Sequence, residues 1–397
     1  MAKVKLALHG GTPVRTDLLP YSHQHLDEDD IRCVSEVLRG DWLTQGPTVL
    51  AFEQAFAEYI GVRHAVAFSN GTAALHAACH VAGLKAGDEA VVPAITFAAT
   101  ANAALYVGAL PVFADVDPDT GLLDPASLPD LMNWKTKVIL PVHYAGLPVD
   151  MEPILAIARA RELIVIEDAC HAPGAVYRGR NAGAIGDLAC FSFHAVKPFT
   201  TGEGGMVTTA SDEFAAKLFA FRTHGIVKPP ERVAEVGGWH YEMVDLGFNY
   251  RLTDFQAALG LSQLRRADDL LRLRREHAAY YDRAFSGVKD VAYLREGRDR
   301  RCAYHLYPLL FEMETLRCDK KTLFAALRAE GIGVQVHYIP VPDHPYYRSL
   351  GYDAASVPGA RRFFAREISL PLFAGMTERD REDVVEAVNK VLAAFRR

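Results

Sequence analysis

Along residues 62–210 short apolar, β-branched runs alternate with longer alanine-rich stretches, separated by small-residue turns. The runs fall at 65–68, 90–92, 111–116, 137–142, 163–167, 188–193 and 205–209, and most are apolar throughout. A strand covered on both faces reads this way, so the pattern predicts seven strands in a buried, mainly parallel sheet. Residues 72–82 and 151–161 have helical length and periodicity, and a further helix is expected from about Thr96. An earlier helix is punctuated by Asp27 as its cap, by Glu28, Asp29 and Asp30 in its first turn, and by Gly40 past its end.

The grammar changes at Thr253. A long amphipathic helix is expected from there to about His277, then mixed signals with a strand at 333–339 and a closing helix at 378–396. This predicts an α/β chain with a large domain at 1–252 and a smaller α+β domain at 253–397, since 397 residues exceed what one core serves. The polar, Pro/Gly-marked stretch 228–238 reads as a surface loop.

A net charge of -6, without a basic tract, removes the attraction that nucleic acid or an anionic membrane needs. No run approaches the roughly 18 apolar residues of a membrane span, and the six scattered cysteines read as reduced thiols of a cytoplasmic protein. Small-molecule chemistry is the remaining expectation.

Ligands in such sheets sit beyond the carboxyl ends of the strands. After the first run comes Ser69-Asn70-Gly71-Thr72-Ala73-Ala74, a turn opening a helix, where free N–H groups hold a phosphate or simply start a capped helix. The fifth run ends in Glu167-Asp168-Ala169-Cys170-His171. A buried carboxylate there is a satisfied structural group, a metal ligand or the partner of a cationic ring nitrogen; no ligand-spaced motif accompanies it, so no metal is expected. The sixth run leads through Ser192-Phe193-His194-Ala195-Val196 to Lys197, either a surface lysine or a desolvated nucleophile. Together, a phosphate cup, an acid and a lysine are what pyridoxal phosphate requires.

These segments, with Trp42-Leu43-Thr44-Gln45-Gly46-Pro47, Thr96-Phe97, Gly202-Glu203-Gly204-Gly205, Gly247-Phe248-Asn249-Tyr250-Arg251 and His337-Tyr338-Ile339-Pro340, resemble the DegT/DnrJ/EryC1/StrS family of sugar aminotransferases over nearly the whole chain. The resemblance implies fold type I, pyridoxal 5'-phosphate, a homodimer with shared active sites, and L-glutamate as amino donor. It implies that Lys197 bonds the cofactor and moves the proton, and that Asp168 pairs with the pyridinium nitrogen. Thr72, Ala73 and Ser192 match phosphate positions, and Asn249 matches one that reaches the phosphate from the partner. Phe97 matches the stacked aromatic, His171 lies against the other face, and Tyr21, Trp42, Thr44, Arg251 and His337 fall on the substrate side. A few relatives carry histidine at the lysine position and dehydrate C3; Lys197 argues for transamination.

The segments around Lys197, at 224–228 and at 246–261 look closest to enzymes that aminate C4 of UDP-linked 4-keto-6-deoxy-N-acetylhexosamines on the way to pseudaminic acid. One departure is Pro342, where the family often has histidine; His344 is displaced. A C3-keto sugar or keto-inositol acceptor, and a non-catalytic cofactor-binding regulator, are the alternatives.

Overall fold

The computed structural model describes residues 5–397, so the first four residues of the expected large domain lie outside it. All seven runs become strands: β1 (His64–Phe68), β2 (Glu89–Pro93), β3 (Leu110–Ala114), β4 (Thr136–Ile139), β5 (Ile164–Asp168), β6 (Leu188–Ser192) and β7 (Gly205–Thr209). They form one sheet in the order β1-β7-β6-β5-β4-β2-β3. The four pairings from β6 to β3 are parallel, and β7 runs antiparallel to both of its neighbours. This is the mixed, mostly parallel α/β sheet of a fold type I transferase.

Helices cover the sheet. Helix α1 (Glu28–Arg39) starts as expected, with Asp27 and Asp30 forming a reciprocal capping box. Helix α2 (Pro47–Ile60) follows, and α3 (Gly71–Val81) packs its alanines against the sheet, which lets the backbones approach closely. Asn70 caps α3 by accepting from the Ala73 N–H at 2.8 Å. The helix expected from Thr96 runs from Ala98 to Tyr106 as α4, and α5 (Met151–Arg161) also forms.

Beyond the large sheet, β8 (Val291–Tyr293), β9 (Tyr307–Phe311) and β10 (Glu367–Leu370) make a three-stranded antiparallel sheet. The carboxyl-terminal helix (Glu378–Phe395) begins on a second capping box, Thr377 with Asp380. Buried side chains of both sheets, among them Val91, Val138, Leu309 and Ile368, belong to one continuous apolar cluster.

Three expectations are corrected. The helix expected over 253–277 is two helices, Asp254–Arg265 and Ala267–Phe285. Arg266 leaves helical dihedrals between them (φ -115, ψ 18), and its guanidinium bonds Asp30 and the His25 carbonyl at the foot of α1. The strand expected at 333–339 does not form; only Gln335 pairs in a sheet manner, with Ser369. Its other donors are claimed elsewhere: Gly333 N–H bonds the Leu19 carbonyl at 2.7 Å and His337 N–H bonds the Glu367 carboxylate at 2.9 Å. The stretch 228–238 is on the surface but contains a short helix, Pro230–Val236, begun by a proline whose missing N–H costs nothing in a first turn.

Candidate active site

A cavity of about 860 Å³ opens past the carboxyl ends of β1, β5 and β6. Thr72, Ala73 and Ser192 line one end, with Asp168, Lys197 and His171 on its floor and walls. Phe97, Tyr21 and His337 also line it. Nine residues singled out in the sequence therefore meet in one space, drawn from segments as distant as 21 and 337.

The cup end is built by close approach. A Cβ on Gly71 would lie 2.9 Å from Ser192 Cβ, and one on Gly205 would lie 2.3 Å from the Asn70 carbonyl oxygen. Glycine at these two positions lets β6 and β7 press against the start of α3. Because Asn70 already holds the Ala73 N–H, the donors left for an anion are the first-turn N–H groups of Gly71 and Thr72 and the hydroxyls of Thr72 and Ser192.

The two carboxylates at the end of β5 do different things. Glu167 points away from the cavity and accepts from the Ile185 and Gly186 N–H groups (2.8 and 2.6 Å), the Gly183 N–H (2.9 Å) and His143 Nε2 (2.8 Å). Burial pushes its carboxyl up, but His143 and the Gly186 and Gly183 N–H groups outweigh that and hold it below its usual range. Asp168 turns into the cavity. Thr100 donates to its Oδ2 at 2.6 Å, and the Cys170 N–H to its Oδ1 at 3.1 Å.

Lys197 is enclosed by protein except towards the cavity, and its Nζ has no hydrogen-bond partner among the described residues. Desolvation lowers its pKa, opposed by Cys170 and Asp168. The neutral amine is therefore more accessible than in water. His171 is held well below its ordinary value by burial and by Lys197, and its Nε2 pairs with the Tyr338 hydroxyl at 3.1 Å.

Four singled-out residues do not line this cavity: Trp42, Thr44, Asn249 and Arg251. Trp42, Thr44 and Asn249 are exposed; Asn249 and Arg251 flank Tyr250, whose carbonyl accepts from the Ser69 N–H beside the cup. Reading the sequence missed Thr100, Tyr338 and His305. The hydroxyl pair Thr96/Thr100, four residues apart across the start of α4, was the available signal for the first. His305, whose ring is tilted against that of His171 with centroids 4.4 Å apart, carried none.

Residues 24–389 match the DegT/DnrJ/EryC1/StrS aminotransferase family. The UDP-4-amino-4,6-dideoxy-N-acetyl-beta-L-altrosamine transaminase of Campylobacter jejuni is 37% identical over 377 residues, 94% of this chain and 98% of that protein. The GDP-perosamine synthase of Caulobacter vibrioides is 39% identical over 369 residues, 92% of this chain and 96% of its own. The putative sugar aminotransferase Spr1654 from Streptococcus pneumoniae, solved in PLP and PMP forms, superposes in its PMP form with a TM-score of 0.90 at 31% identity, covering 94% of this chain and 98% of that one. The protein belongs to the DegT/DnrJ/EryC1/StrS family and is one of its pyridoxal-phosphate-dependent sugar aminotransferases.

Proposed function

We propose that Lys197 carries the pyridoxal phosphate covalently and that the enzyme moves an amino group from L-glutamate to the C4 keto group of a UDP-linked 4-keto-6-deoxy-N-acetylamino sugar. The observation that carries this reading is a lysine amine without a hydrogen-bond partner among the described residues, opening into a cavity that holds both an anion cup and a hydrogen-bonded carboxylate.

The residues fit the cofactor. The glycine-lined cup offers N–H and hydroxyl donors to a dianion, and Asp168 is the acid that keeps a ring nitrogen protonated. Bound cofactor supplies an electron sink for charge developing at the amino-bearing carbon. Lys197, desolvated and left over the site, takes and returns the proton at that carbon. Phe97 and His171 both line the cavity and would hold the two faces of the ring. Thr100 and the Cys170 N–H fix the direction of Asp168, so its charge is preorganised.

Asn249, Arg251, Trp42 and Thr44 complete the site across a homodimer interface in this reading. Their absence from the cavity of their own chain supports it, as does the exposed apolar row that includes Trp239, Met243, Leu246 and Phe248. The two-domain division at 252/253 fits the change of sheet, and free thiols at all six cysteines fit the cytoplasm.

For the sugar, the Campylobacter relative supports the UDP-linked acceptor, and the Caulobacter relative makes a GDP-linked sugar the competitor. A panel of UDP-, dTDP- and GDP-linked keto sugars with L-glutamate decides between them. Turnover of a UDP-linked 4-keto sugar is expected; failure with every UDP sugar overturns the acceptor, and C3 amination of the product overturns the position.

A further inference from the structure

Strand β10 carries Glu367 and Ser369 on one face, both without solvent exposure, directly behind a wall of the cavity. Ser369 Oγ donates to Glu367 Oε1 at 2.5 Å and lies 2.9 Å from His337 Nδ1. A hydroxyl has one hydrogen. With it committed to the carboxylate, the Ser369 oxygen can only accept from His337, so Nδ1 carries the ring proton.

The same histidine is held at its backbone. Its N–H bonds Glu367 Oε2 at 2.9 Å, and Tyr144 donates to its carbonyl at 2.5 Å. Burial, with Lys197 nearby, lowers the imidazole to about 3, so only one ring nitrogen is protonated. Burial pushes Glu367 up to about 7 against the Ser369 hydroxyl, Lys320 and the His337 N–H, which favour its carboxylate form; the His337 N–H and the Ser369 hydroxyl each donate to one of its two oxygens. The ring lines the cavity 5.4 Å from Tyr21, and Nε2 has no protein partner among the described residues.

We propose that Glu367 and Ser369 are positioning residues that lock His337 in the Nδ1–H form, so that Nε2 accepts a hydrogen bond from a hydroxyl or amide N–H of the acceptor sugar. This rests on the reading of the cavity as the aminotransferase site. A bare lone pair discriminates between the two substrates: the amine of glutamate is engaged at the reacting centre and its carboxylates offer only further lone pairs, whereas a sugar ring offers donors.

Glu367→Gln reverses the chain. The His337 N–H requires an acceptor, so the amide oxygen takes that side and the amide NH₂ faces Ser369. The Ser369 hydroxyl then turns to donate to Nδ1, and the ring proton moves to Nε2.

Two readouts test this on the holoenzyme. In 15N-histidine NMR, with the His337 signals identified by their loss in His337→Gln, the proton is expected on Nδ1 in the wild type and on Nε2 in Glu367→Gln. In kinetics, Glu367→Gln is expected to raise KM for the keto sugar about tenfold or more, while the glutamate half-reaction, followed by cofactor absorbance, changes less than about twofold. Ser369→Ala, which cuts the chain without reversing it, gives a smaller rise in the same KM alone. A wild-type proton on Nε2, or equal slowing of both half-reactions in Glu367→Gln, overturns the proposal; should Glu367→Gln not fold, the wild-type tautomer and Ser369→Ala still decide it. Loss of the glutamate half-reaction in the wild type would instead overturn the underlying function, and leave the tautomer measurement standing.

Discussion

The Thr100 hydroxyl donates to Asp168 Oδ2 at 2.6 Å, and the Thr96 hydroxyl, just ahead of α4, stands 2.7 Å behind it, so the start of α4 aims the carboxylate into the cavity. Thr100 has no solvent exposure, and water cannot replace it. Thr100→Val keeps the shape and removes the donor. A hydrogen bond to a charged group contributes about 1.5–3 kcal/mol, so cofactor affinity is expected to fall about tenfold or more, measured by absorbance titration of the apoprotein. Unchanged affinity and turnover would mean that Asp168 needs no support from α4.

Glu167, one residue earlier, is structural. Glu167→Gln removes an acceptor from two of the four donors that surround it, and breaking such a buried set costs about 3–5 kcal/mol. Urea denaturation is expected to show a clearly lower midpoint; an unchanged midpoint contradicts this role.

That division of labour between neighbours was not legible in the sequence, where Glu167 and Asp168 are simply adjacent acids. Alternation along β5 sends their side chains to opposite faces, where Glu167 meets His143 and the N–H groups of segment 183–186 and Asp168 meets Thr100 of α4. The sheet itself was legible because strands buried on both faces must be apolar throughout. So were the cup and Lys197, whose residue types are costly anywhere else on such a sheet. The failures lay where long-range partners decide: the break at Arg266 answers to Asp30, over two hundred residues away, and segment 333–339 gives its N–H groups to Leu19 and Glu367 rather than to a ladder. The chain Glu367–Ser369–His337 likewise joins segments that no local pattern connects.

The cup depends on Gly205. In Gly205→Ala the new methyl meets the Asn70 carbonyl oxygen at 2.3 Å and the Gly71 nitrogen at 2.9 Å, both backbone atoms that cannot rotate away. Overpacking of about 1–3 kcal/mol is expected to open the cup. Pyridoxal phosphate affinity then falls about fivefold to a hundredfold while binding of pyridoxal, which lacks the phosphate, changes little; an equal loss for both ligands contradicts a phosphate cup.

His76 on α3, paired with the Tyr250 hydroxyl at 3.1 Å, supplies an acid sensitivity. Burial, aided by His80, lowers its imidazole from 6.5 to about 4. Between those values the unfolded chain binds a proton that the folded chain refuses, so stability is intact above about 6.5 and is lost as pH falls towards 4. Thermal midpoints are expected to drop between about pH 7 and pH 5, and to drop less in His76→Gln. An identical drop in that variant removes His76 as a cause.

Covalent attachment at Lys197 is the claim on which the proposed chemistry stands. Borohydride reduction of the holoenzyme, followed by proteolysis and mass spectrometry, measures it directly. The phosphopyridoxyl label is expected on the peptide containing Lys197 and is expected to vanish in Lys197→Ala; a label on another lysine, or none, contradicts the account.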